Sequence, residues 1–580
     1  MQPIKTDILI IGGGPAGLTA ALALSTYGIH ATIVTKHSWL AHTPRAHSTN
    51  QRTFEIFRDL EVEADAKAKA TPYSELPDII YCASLAGEEF ARMHSLGAGP
   101  ERHGDYALSS PCEIADLAQN LLEPILLSSA LGRGATVRFS TEYLFSVQDE
   151  QGVTATVKDR ASGETFEIRA RYMVGADGGR SKVAQDLELP LEGKMDFGTS
   201  VNIYFDCDLS CYVSYRPAVL YMMVRSPRDT NDLGLAVLRP TRRWHEWLLT
   251  PGYTMGKDRT TLSEAEAIDA VRDCIGDAAL DVRIKAVDSW ELNSLYATRF
   301  SKGRIFCVGD AVHRHVPSNG LGSNTAIQDS YNLAWKLALV LQGKADASLL
   351  ESYDSERVPV GKQVVDRATK SLGIYPPILA ALGLHGEGGP EQLKSAGSEA
   401  ALQRKQLQAA IAGEQYEFNA HGVEMNQRYV SSAVGNDGSE PRAYPLDEEL
   451  YYLPTTWPGA RLPHAWLQRQ GKPVSTLDLV GKGRFTILTG IGGEVWTGAA
   501  SLVEKQFQLD IKTYAIGPGC EITDLYHTWF DLREITDSGC LLVRPDGHIA
   551  WRAHEAPAVD EVACDSLLRV VGQILGRAVH

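Results

Sequence analysis

Short apolar runs followed by glycine-bearing turns organise the first half of the chain. Residues 8–11, 172–176 and 305–308 are almost entirely apolar, which is typical of strands buried on both faces. Residues 18–25 are rich in Ala and Leu and predict a helix, and residues 31–34 predict a second strand. This succession of buried strands and helices predicts an α/β fold.

Later segments follow other patterns. Alternating or apolar runs at 199–206, 218–224, 233–238 and 282–290 predict strands of a mixed sheet, and residues 262–275 predict an amphipathic helix. The charged stretch 351–435 is predicted to be helical. A loop composition at 435–441 then leads into a C-terminal domain with strands at 485–488 and 539–544 and a hairpin at 545–551.

The turn after the first run has the spacing of a dinucleotide-binding fingerprint. Gly12, Gly14 and Gly17 give G-x-G-x-x-G between a predicted strand and a predicted helix. Gly12 allows the tight turn, Gly14 lets the backbone approach a pyrophosphate, and Gly17 lets the helix pack closely on the strand. Thr35 follows the second predicted strand, at the place where an acidic residue usually binds the ribose, so that contact stays open. The position of the motif near residue 1 favours FAD over NAD.

The other two apolar runs end in aspartate and glycine. Asp177–Gly178 follows the second run and Gly309–Asp310 follows the third. Either aspartate alone could simply cap the next helix, but the order of the three stretches predicts one FAD used in redox chemistry. The Gly-rich residues 317–324 then precede an apolar helix at 326–341. The N-terminus of that helix would stabilise the negative charge of a reduced flavin.

These stretches resemble the class A flavoprotein aromatic hydroxylases, and in particular the phenol hydroxylase branch with its dichlorophenol-hydroxylating members. Residues 43–53, 309–315 and 320–324 carry the match, and the resemblance covers nearly the whole chain. It implies an α/β fold with a Rossmann-like FAD-binding domain of the aromatic hydroxylase type. It also implies an α+β substrate domain with a mixed sheet and a C-terminal thioredoxin-like domain.

The expected domains are discontinuous. They are an FAD-binding domain at 1–75, 105–190 and 295–370, a substrate-binding domain at 76–104 and 191–294, a helical segment at 371–440, and the thioredoxin-like domain at 441–580. The last has no C-x-x-C, so no dithiol chemistry is expected from it. We expect it to pack against the rest of the chain or against a second subunit.

The resemblance also implies a role for each site residue. Gly12, Gly14 and Gly17 would meet the FAD pyrophosphate, and Arg45 and Gln119 would lie near the flavin and pyrophosphate. Asp177 with Gly178 would serve FAD and NAD(P)H, and Asp310, beside Gly309, would bond the ribityl chain. Ser323 and Asn324, in the turn with Gly320 and Gly322, would meet the flavin ring by backbone N–H, and Pro317 would line its substrate side.

The implied reaction is ortho-hydroxylation of a phenol with NADPH or NADH and O₂, through a C4a-hydroperoxyflavin. Such a site needs a base near the phenol and few waters near the reacting oxygen. His47 is the candidate base, because imidazole titrates near pH ~6.5; alternatively it only bonds loop backbone. Trp290, with Tyr296 nearby, is a candidate pocket wall or ordinary core. His313 and His315 are expected to contact FAD rather than a metal.

Composition excludes several classes. The net charge of −16 argues against nucleic-acid binding and against anionic membrane surfaces. Nine cysteines without a C-x-x-C fit a reducing compartment. No signal-peptide pattern and no apolar run of membrane-spanning length occurs, so a cytoplasmic protein is expected, and the family suggests a homodimer.

Other functions remain open at this point. The same fold could act on a polyketide or an aryl acid in a biosynthetic pathway, although no Arg or Lys beyond Arg45 in the site segments calls for a carboxylate. An FAD-dependent dehydrogenase or reductase without oxygenation is a second alternative, and a binding protein without turnover is a third. No second G-x-G-x-x-G occurs, so NAD(P)H is expected to bind transiently at the flavin.

Overall fold

The structure is a computed structural model that describes residues 3–225, 232, 234–256, 261–384, 389–440 and 443–578. Residue 233, the first of a predicted strand, lies outside them. The strands are β1 (Ile4–Ile11), β2 (Ala31–Val34), β3 (Ser48–Thr49), β4 (Thr71–Pro72), β5 (Asp78–Cys82), β6 (Glu89–His94), β7 (Ala115–Asp116), β8 (Thr136–Arg138), β9 (Thr141–Asp149), β10 (Gly152–Asp159), β11 (Thr165–Gly175), β12 (Leu191–Asp206), β13 (Ala218–Val224), β14 (Leu235–Arg242), β15 (Glu246–Thr250), β16 (Tyr253–Met255), β17 (Arg283–Ala297), β18 (Ser301–Lys302), β19 (Ile305–Cys307), β20 (His313–Arg314), β21 (Trp466–Arg469), β22 (Lys472–Ser475), β23 (Phe485–Thr489), β24 (Ile511–Ala515), β25 (Ile522–Thr523), β26 (Cys540–Val543) and β27 (Ile549–Ala553).

The helices are α1 (Pro15–Thr26), α2 (Gln51–Asp59), α3 (Glu63–Lys67), α4 (His103–Ser109), α5 (Gln119–Gly132), α6 (Lys182–Asp186), α7 (Ser210–Val213), α8 (Glu264–Ile275), α9 (Leu321–Leu341), α10 (Ser352–Ser371), α11 (Tyr375–Ala381), α12 (Ser398–Gly413), α13 (Gln415–Phe418), α14 (His421–Met425), α15 (Glu494–Phe507), α16 (Thr528–Leu532) and α17 (Asp560–Leu575). Within the described residues, none of these helices is long and apolar enough to cross a membrane.

The first sheet brings the three glycine-bearing turns together. Its order is β18-β19-β11-β1-β2-β8, with β10 and β9 added beside β11. β1 is parallel to β2 and to β11, and β11 is parallel to β19, with Ile11 opposite Gly175 and Gly175 opposite Cys307. Because parallel strands end at the same edge, the turns after β1, β11 and β19 are neighbours there, and ligands of such sheets bind at this edge.

The helix after the first turn is buried on all sides. α1 lies between the sheet and α9, and Ser330 Oγ of α9 donates to Ala16 O at 2.8 Å. Its Ala and Leu residues from Ala16 to Leu24 are buried, which explains why the sequence shows an apolar segment and no amphipathic stripe. α9 begins at Leu321, five residues before the predicted start, because Gly320 takes a left-handed conformation (φ 62°) and starts the helix directly after the turn.

A second sheet covers the edge. Its order is β20-β17-β12-β15-β14-β13-β5-β6, with β16 beside β12. The predicted strands of the substrate domain are confirmed as β12, β13, β14 and β17, and the predicted amphipathic helix as α8, which has a Ser263–Glu266 capping box and ends at Gly276. Tyr296 of β17 pairs with His313 of β20. The second sheet is therefore joined directly to the third glycine-bearing turn.

The C-terminal part has the thioredoxin-like order that the resemblance implies. β23, α15 and β24 form a parallel unit, and β26, β27 and α17 follow, which gives the sheet β24-β23-β26-β27. Its core includes Trp335 of α9, whose ring meets Phe485 edge-on at 6.0 Å. The domain thus shares its core with the helix that follows the third turn.

Candidate FAD and substrate site

The first glycine turn touches the second one without room for side chains. Gly12 has φ 113°, and a Cβ there would lie 2.1 Å from the carbonyl oxygen of Ala176. A Cβ on Gly17 would lie 2.1 Å from Gly12 O. Gly14 differs, because the nearest atom to its Cβ position, Glu123 Oε1, is 4.0 Å away. Gly14 caps α1 without a side-chain hydrogen bond, so the first N–H groups of the helix face open space suited to a pyrophosphate.

Glu123 is an acidic residue beside this turn that the sequence reasoning missed. Its carboxylate accepts hydrogen bonds from Ala41 N and from Gln119 Nε2, both at 2.6 Å, and burial raises its pKa. Gln119 therefore bonds Glu123 rather than reaching into the open space. Arg45 is exposed at the same end of the site. The expected contacts of Gln119 and Arg45 with the cofactor stay predictions.

In the second turn, Asp177 caps a helix. Its carboxylate accepts from Ser181 Oγ at 2.5 Å, from Lys182 N at 2.7 Å and from Val183 N at 3.2 Å. The capping alternative is thus what the side chain does in this structure. Gly178, with φ 78°, has no atom within 4 Å of its Cβ position. A cofactor contact at this turn would be made by the backbone around Gly178.

The third turn is held by a buried carboxylate of α9. Gly309 has φ 62°, and its N–H donates to Asp329 Oδ2 of α9 at 3.0 Å. Asp310 is exposed beside it, as a residue that bonds a ribityl chain must be. His313 is fully buried and its Nε2 bonds the same Asp329 oxygen at 2.7 Å. The expectation that His313 contacts FAD is therefore wrong in geometry, because its ring points into the core beneath the turn.

His315 lies closer to the flavin-facing turn. Its Nδ1 bonds Val316 O at 2.6 Å, and burial lowers its pKa. Its Nε2 is 3.6 Å from the Cβ position of Gly322 in the first turn of α9. Among the described residues, no group of three or more His, Cys, Asp and Glu side chains could hold a metal ion.

Asn324 ties the start of α9 to the segment that carries His47. Its Oδ1 accepts from Asn50 N at 3.1 Å and from Thr53 Oγ1 at 2.7 Å, and its Nδ2 donates to Ser48 O at 2.9 Å. The backbone N–H groups of Gly322 and Ser323 are among the first of α9, where N–H groups have no partner within the helix, whereas the N–H of Asn324, the fourth residue, is one turn after the Gly320 carbonyl. The turn can therefore offer N–H donors to a flavin while the Asn324 side chain holds the neighbouring segment. The expected backbone contact of Asn324 with the flavin stays a prediction.

His47 is paired with a carboxyl group that the sequence reasoning missed. The two-residue strands β3 and β7 place Ser48 opposite Asp116, and His47 Nδ1 is hydrogen-bonded to Asp116 Oδ2. The His47 side chain is 20% exposed and that of Asp116 is 5% exposed. Burial raises the pKa of Asp116. Because Nδ1 is held, Nε2 is the nitrogen left to exchange a proton with a substrate.

Trp290 lies in a small apolar cluster next to Pro317. Its Nε1 donates to Asn202 Oδ1 at 3.1 Å, and Tyr253 meets its ring edge-on at 6.0 Å. Val316, which precedes the exposed Pro317, belongs to the same cluster. Tyr296 does not, because its hydroxyl bonds Glu192 at 2.5 Å. Trp290 and Tyr253 can therefore form an aromatic wall beside Pro317, which is the place expected for a substrate.

Arg239 is a second missed residue. It lies on β14 and donates to the carbonyl oxygens of Pro44 and Arg45, just before His47. It is buried without a carboxylate in these contacts, and desolvation lowers its pKa to about 9. No pattern in the sequence predicts a cation here, because Arg239 lies almost 200 residues from His47 in a strand with no distinctive motif. A buried guanidinium against the backbone just before His47 would favour a negatively charged group nearby.

Comparisons with known proteins decide the family. Residues 5–368 match the model "FAD binding domain", and residues 455–578 match "Aromatic-ring hydroxylase, C-terminal". The chain belongs to the FAD-dependent aromatic-ring hydroxylases. The resemblance, the fold class and the FAD cofactor expected from the sequence are thereby confirmed.

Similar proteins extend over almost the full chain. It is 49% identical to 2,4-dichlorophenol 6-monooxygenase of Delftia acidovorans, with 95% of each chain covered. It is 44% identical to phenol 2-monooxygenase of Pseudomonas sp. (strain EST1001), over 97% of this chain and 92% of that one. The solved structure of the flavin-dependent monooxygenase PieE with FAD and substrate is 44% identical, with a TM-score of 0.94 and coverage of 99% and 100%.

Proposed function

We propose that this protein hydroxylates a phenol ortho to its OH group, with FAD, NAD(P)H and O₂. The observation that carries the proposal is the His47–Asp116 pair, held by Asn324 next to the N-terminus of α9. The names of the relatives at 44–49% identity support a phenolic substrate. Relatives named polyketide hydroxylases are about 31% identical, which makes a polyketide the weaker candidate.

The residues divide the chemistry between them. Bound FAD supplies electron transfer from NAD(P)H and activation of O₂. Nε2 of His47 accepts the phenol proton, since Asp116 holds Nδ1, and Arg239 stabilises the phenolate oxygen by its charge. The resulting electron density at the ortho carbon is what an electrophilic oxygen attacks.

The surroundings protect the reacting atoms. Trp290, Tyr253 and Val316 cover the place beside Pro317 and exclude water. The unpartnered N–H groups at the start of α9, that of Ser323 among them, and the N-terminal end of the α9 dipole stabilise negative charge on a reduced flavin. Asp310 and the open turn at Gly14 hold the ribityl chain and the pyrophosphate.

The domain division, assembly and location expected from the sequence also remain proposals. The two family matches, at 5–368 and 455–578, support separate FAD-binding and C-terminal domains. All nine cysteines are free thiols, which supports a reducing compartment such as the cytoplasm. The homodimer rests on the family alone and is tested by sedimentation of the FAD-bound protein.

A substrate panel tests the proposed activity. The FAD-bound protein is given NADPH or NADH with phenol, 2,4-dichlorophenol or 4-hydroxybenzoate, and NAD(P)H consumed, hydroxylated product and H₂O₂ are measured. We expect catechol products close to one per NAD(P)H with a neutral phenol, and mainly H₂O₂ or no turnover with the aryl acid. NAD(P)H consumption that yields only H₂O₂ with every phenol would reject the proposal.

A further inference from the structure

A continuous set of buried charged groups runs from the third glycine turn into the C-terminal domain. It passes through two adjacent residues of α10 that reach in different directions. Arg357 Nε donates to Asp329 Oδ1 at 2.7 Å, and Asp329 holds the N–H of Gly309. Glu356, the neighbouring residue on α10, makes the link to the C-terminal domain. It accepts hydrogen bonds from both terminal nitrogens of Arg544 at 2.6 and 2.9 Å. The Arg357, Asp329, Glu356 and Arg544 side chains are all fully buried.

Arg544 belongs to the turn between β26 and β27 of the C-terminal domain. Its guanidinium also bonds Asp546 Oδ2 at 2.5 Å and lies 5.1 Å from the ring centre of Trp335 on α9. Lys336, the next residue on α9, donates to Glu356 Oε2 at 2.8 Å. The C-terminal domain therefore contacts both α9 and α10 through Arg544. α9 is the helix that starts at the flavin-facing turn.

A second arm reaches the segment that carries His47. α2 begins at Gln51, directly after the Asn50 that Asn324 holds. Arg461 of the C-terminal domain donates from Nε to Glu55 of α2 at 2.8 Å, and Arg52 of α2 donates to Asp546 O at 2.7 Å. Arg461 and Glu55 are 2% and 3% exposed. The C-terminal domain thus contacts both α2 and α9 through buried side chains.

Buried ion pairs of this kind add little to the free energy of unfolding. Removing charged groups from water is costly, and apolar residues of similar size often give equal or greater stability. Bidentate arginine–carboxylate pairs, in contrast, fix the relative geometry of the elements that carry them. The geometry that these pairs fix is that of Gly309 and of the His47 segment.

We propose that the C-terminal domain positions the flavin-binding turn and the catalytic segment through these two arms, with Arg544 and Arg461 as positioning residues. Arg544 acts on the Gly309 turn through Glu356, Arg357 and Asp329. Arg461 acts on the His47 segment through Glu55 and α2. The activity readout of this inference rests on the proposed phenol hydroxylation, and the exchange readout does not.

The test compares three conservative variants of the full-length protein. Arg544→Lys and Arg461→Lys keep the charge but lose the bidentate geometry. The matched control is Arg533→Lys, since Arg533 is also a buried arginine of the C-terminal domain and bonds a carboxylate, Asp537, of the same domain at 2.7 Å. Backbone hydrogen exchange is followed by mass spectrometry, with and without FAD.

The two arms give different exchange patterns. In Arg544→Lys we expect exchange of the peptide covering residues 309–313 to quicken by about tenfold or more, because a shift of Glu356 and Arg357 on α10 would hold Asp329, the acceptor of the Gly309 N–H, less firmly. In Arg461→Lys the faster exchange is expected at residues 47–59 and not at 309–313. In Arg533→Lys both peptides should exchange as in the unaltered protein. Unchanged exchange at both peptides in the first two variants, or equal changes in the control, would overturn the proposal.

The second readout is the amount of hydroxylated product formed per NAD(P)H consumed. We expect product per NAD(P)H to fall roughly tenfold in Arg544→Lys and Arg461→Lys with H₂O₂ rising, since displacement of reacting groups by about 1 Å is costly, and to stay unchanged in Arg533→Lys. If Arg544→Lys does not fold, Arg461→Lys and Glu356→Gln carry the same comparison. If the unaltered protein hydroxylates no phenol, the proposed function fails while the exchange patterns still decide the role of the two arms.

Discussion

His47 Nδ1 and Asp116 Oδ2 are hydrogen-bonded across the short ladder between β3 and β7, and Asp116 is almost completely buried. A histidine held in this way presents one defined nitrogen to a substrate, because the partner fixes both the tautomer and the ring orientation. The pair therefore supports the proposed role of His47 as the base, since its partner is a buried carboxyl group and not loop backbone.

Loss of the base is the first prediction. His47→Ala should leave flavin reduction by NAD(P)H in place, while hydroxylated product per NAD(P)H falls by roughly 10²–10⁴-fold, the usual range for general acid–base catalysis. Stopped-flow absorbance follows the reduction and chromatography follows the product. His30→Ala is the control, since His30 is exposed and bonds Thr6 and Thr136 away from the site. Unchanged coupling in His47→Ala would reject the assignment of the base.

Asp116→Asn is the second prediction. The amide keeps the size of the side chain but cannot fix the tautomer in the same way, so we expect a loss of about 10²-fold in product formation, at the low end of the range for a base. FAD content should stay the same because the amide keeps the size of the side chain, and the Asp116 carboxyl group bonds His47 and not a glycine-bearing turn. A variant with full activity would mean that Asp116 serves only the fold.

Two glycines of the first turn should respond differently to alanine. Gly14→Ala has room in the protein, since no atom lies closer than 4.0 Å to the new Cβ, so the FAD-free protein should keep its melting temperature while FAD binds at least about tenfold more weakly. Gly17→Ala would bring its Cβ within 2.1 Å of Gly12 O. It should lower the melting temperature of the FAD-free protein itself. Equal effects of both changes on FAD-free stability would contradict the different environments of the two positions.

Asp310 is expected to retain FAD through its exposed carboxylate. Asp310→Ala should raise the dissociation constant for FAD by about tenfold or more, consistent with the loss of hydrogen bonds made by a charged group. The measurement is flavin fluorescence during titration of FAD-free protein. Asp269→Ala, an exposed position on α8, provides the control. A fully flavin-loaded Asp310→Ala protein after gel filtration would contradict the contact.

Glu424 gives a prediction about pH. It lies on α14, and its Oε2 is buried without a hydrogen-bond partner among the described residues. Burial raises its pKa from the ordinary value of 4.5 to about 8. The folded protein keeps this proton between those two values and the unfolded chain releases it, so the free energy of unfolding falls as pH rises from about 4.5 to about 8.

Glu424→Gln should remove that dependence. We expect the variant to gain about 1–3 kcal/mol of stability relative to the unaltered protein at pH 8.5, and much less at pH 5, as follows from the cost of an unpaired buried polar group. Denaturant unfolding at the two pH values measures the difference, with the exposed Glu399→Gln as control. Parallel pH profiles of the two proteins would show that Glu424 does not titrate in this range.

The features that the sequence predicted are those determined by the spacing of neighbouring residues. The turns at Gly12, Asp177 and Gly309 and the helix after Gly320 follow from short apolar runs and glycine positions, and the first sheet brings these turns to one edge. Asp116 and Arg239 could not be predicted, because each meets the His47 segment only through the tertiary fold. β7 has only two residues and shows no periodicity, and the contacts of Arg239 are to backbone oxygens, which leave no trace in a sequence.

The helix start shows a finer limit. Gly322, Ser323 and Asn324 have the composition of a turn, but they form the first turn of α9 because Gly320 adopts the left-handed conformation that starts it. The Asn324 side chain then has partners on the His47 segment some 270 residues away. The composition of the Gly-rich turn predicted backbone N–H donors for the flavin. It did not predict that the Asn324 side chain also holds the His47 segment.

Oxygen transfer itself is the most direct test of the central claim. The FAD-bound protein is incubated with NADPH, 2,4-dichlorophenol and ¹⁸O₂, and the product is analysed by mass spectrometry. We predict a dichlorocatechol that carries one ¹⁸O atom. NADPH oxidation without any labelled product from this phenol or from phenol itself would contradict the account.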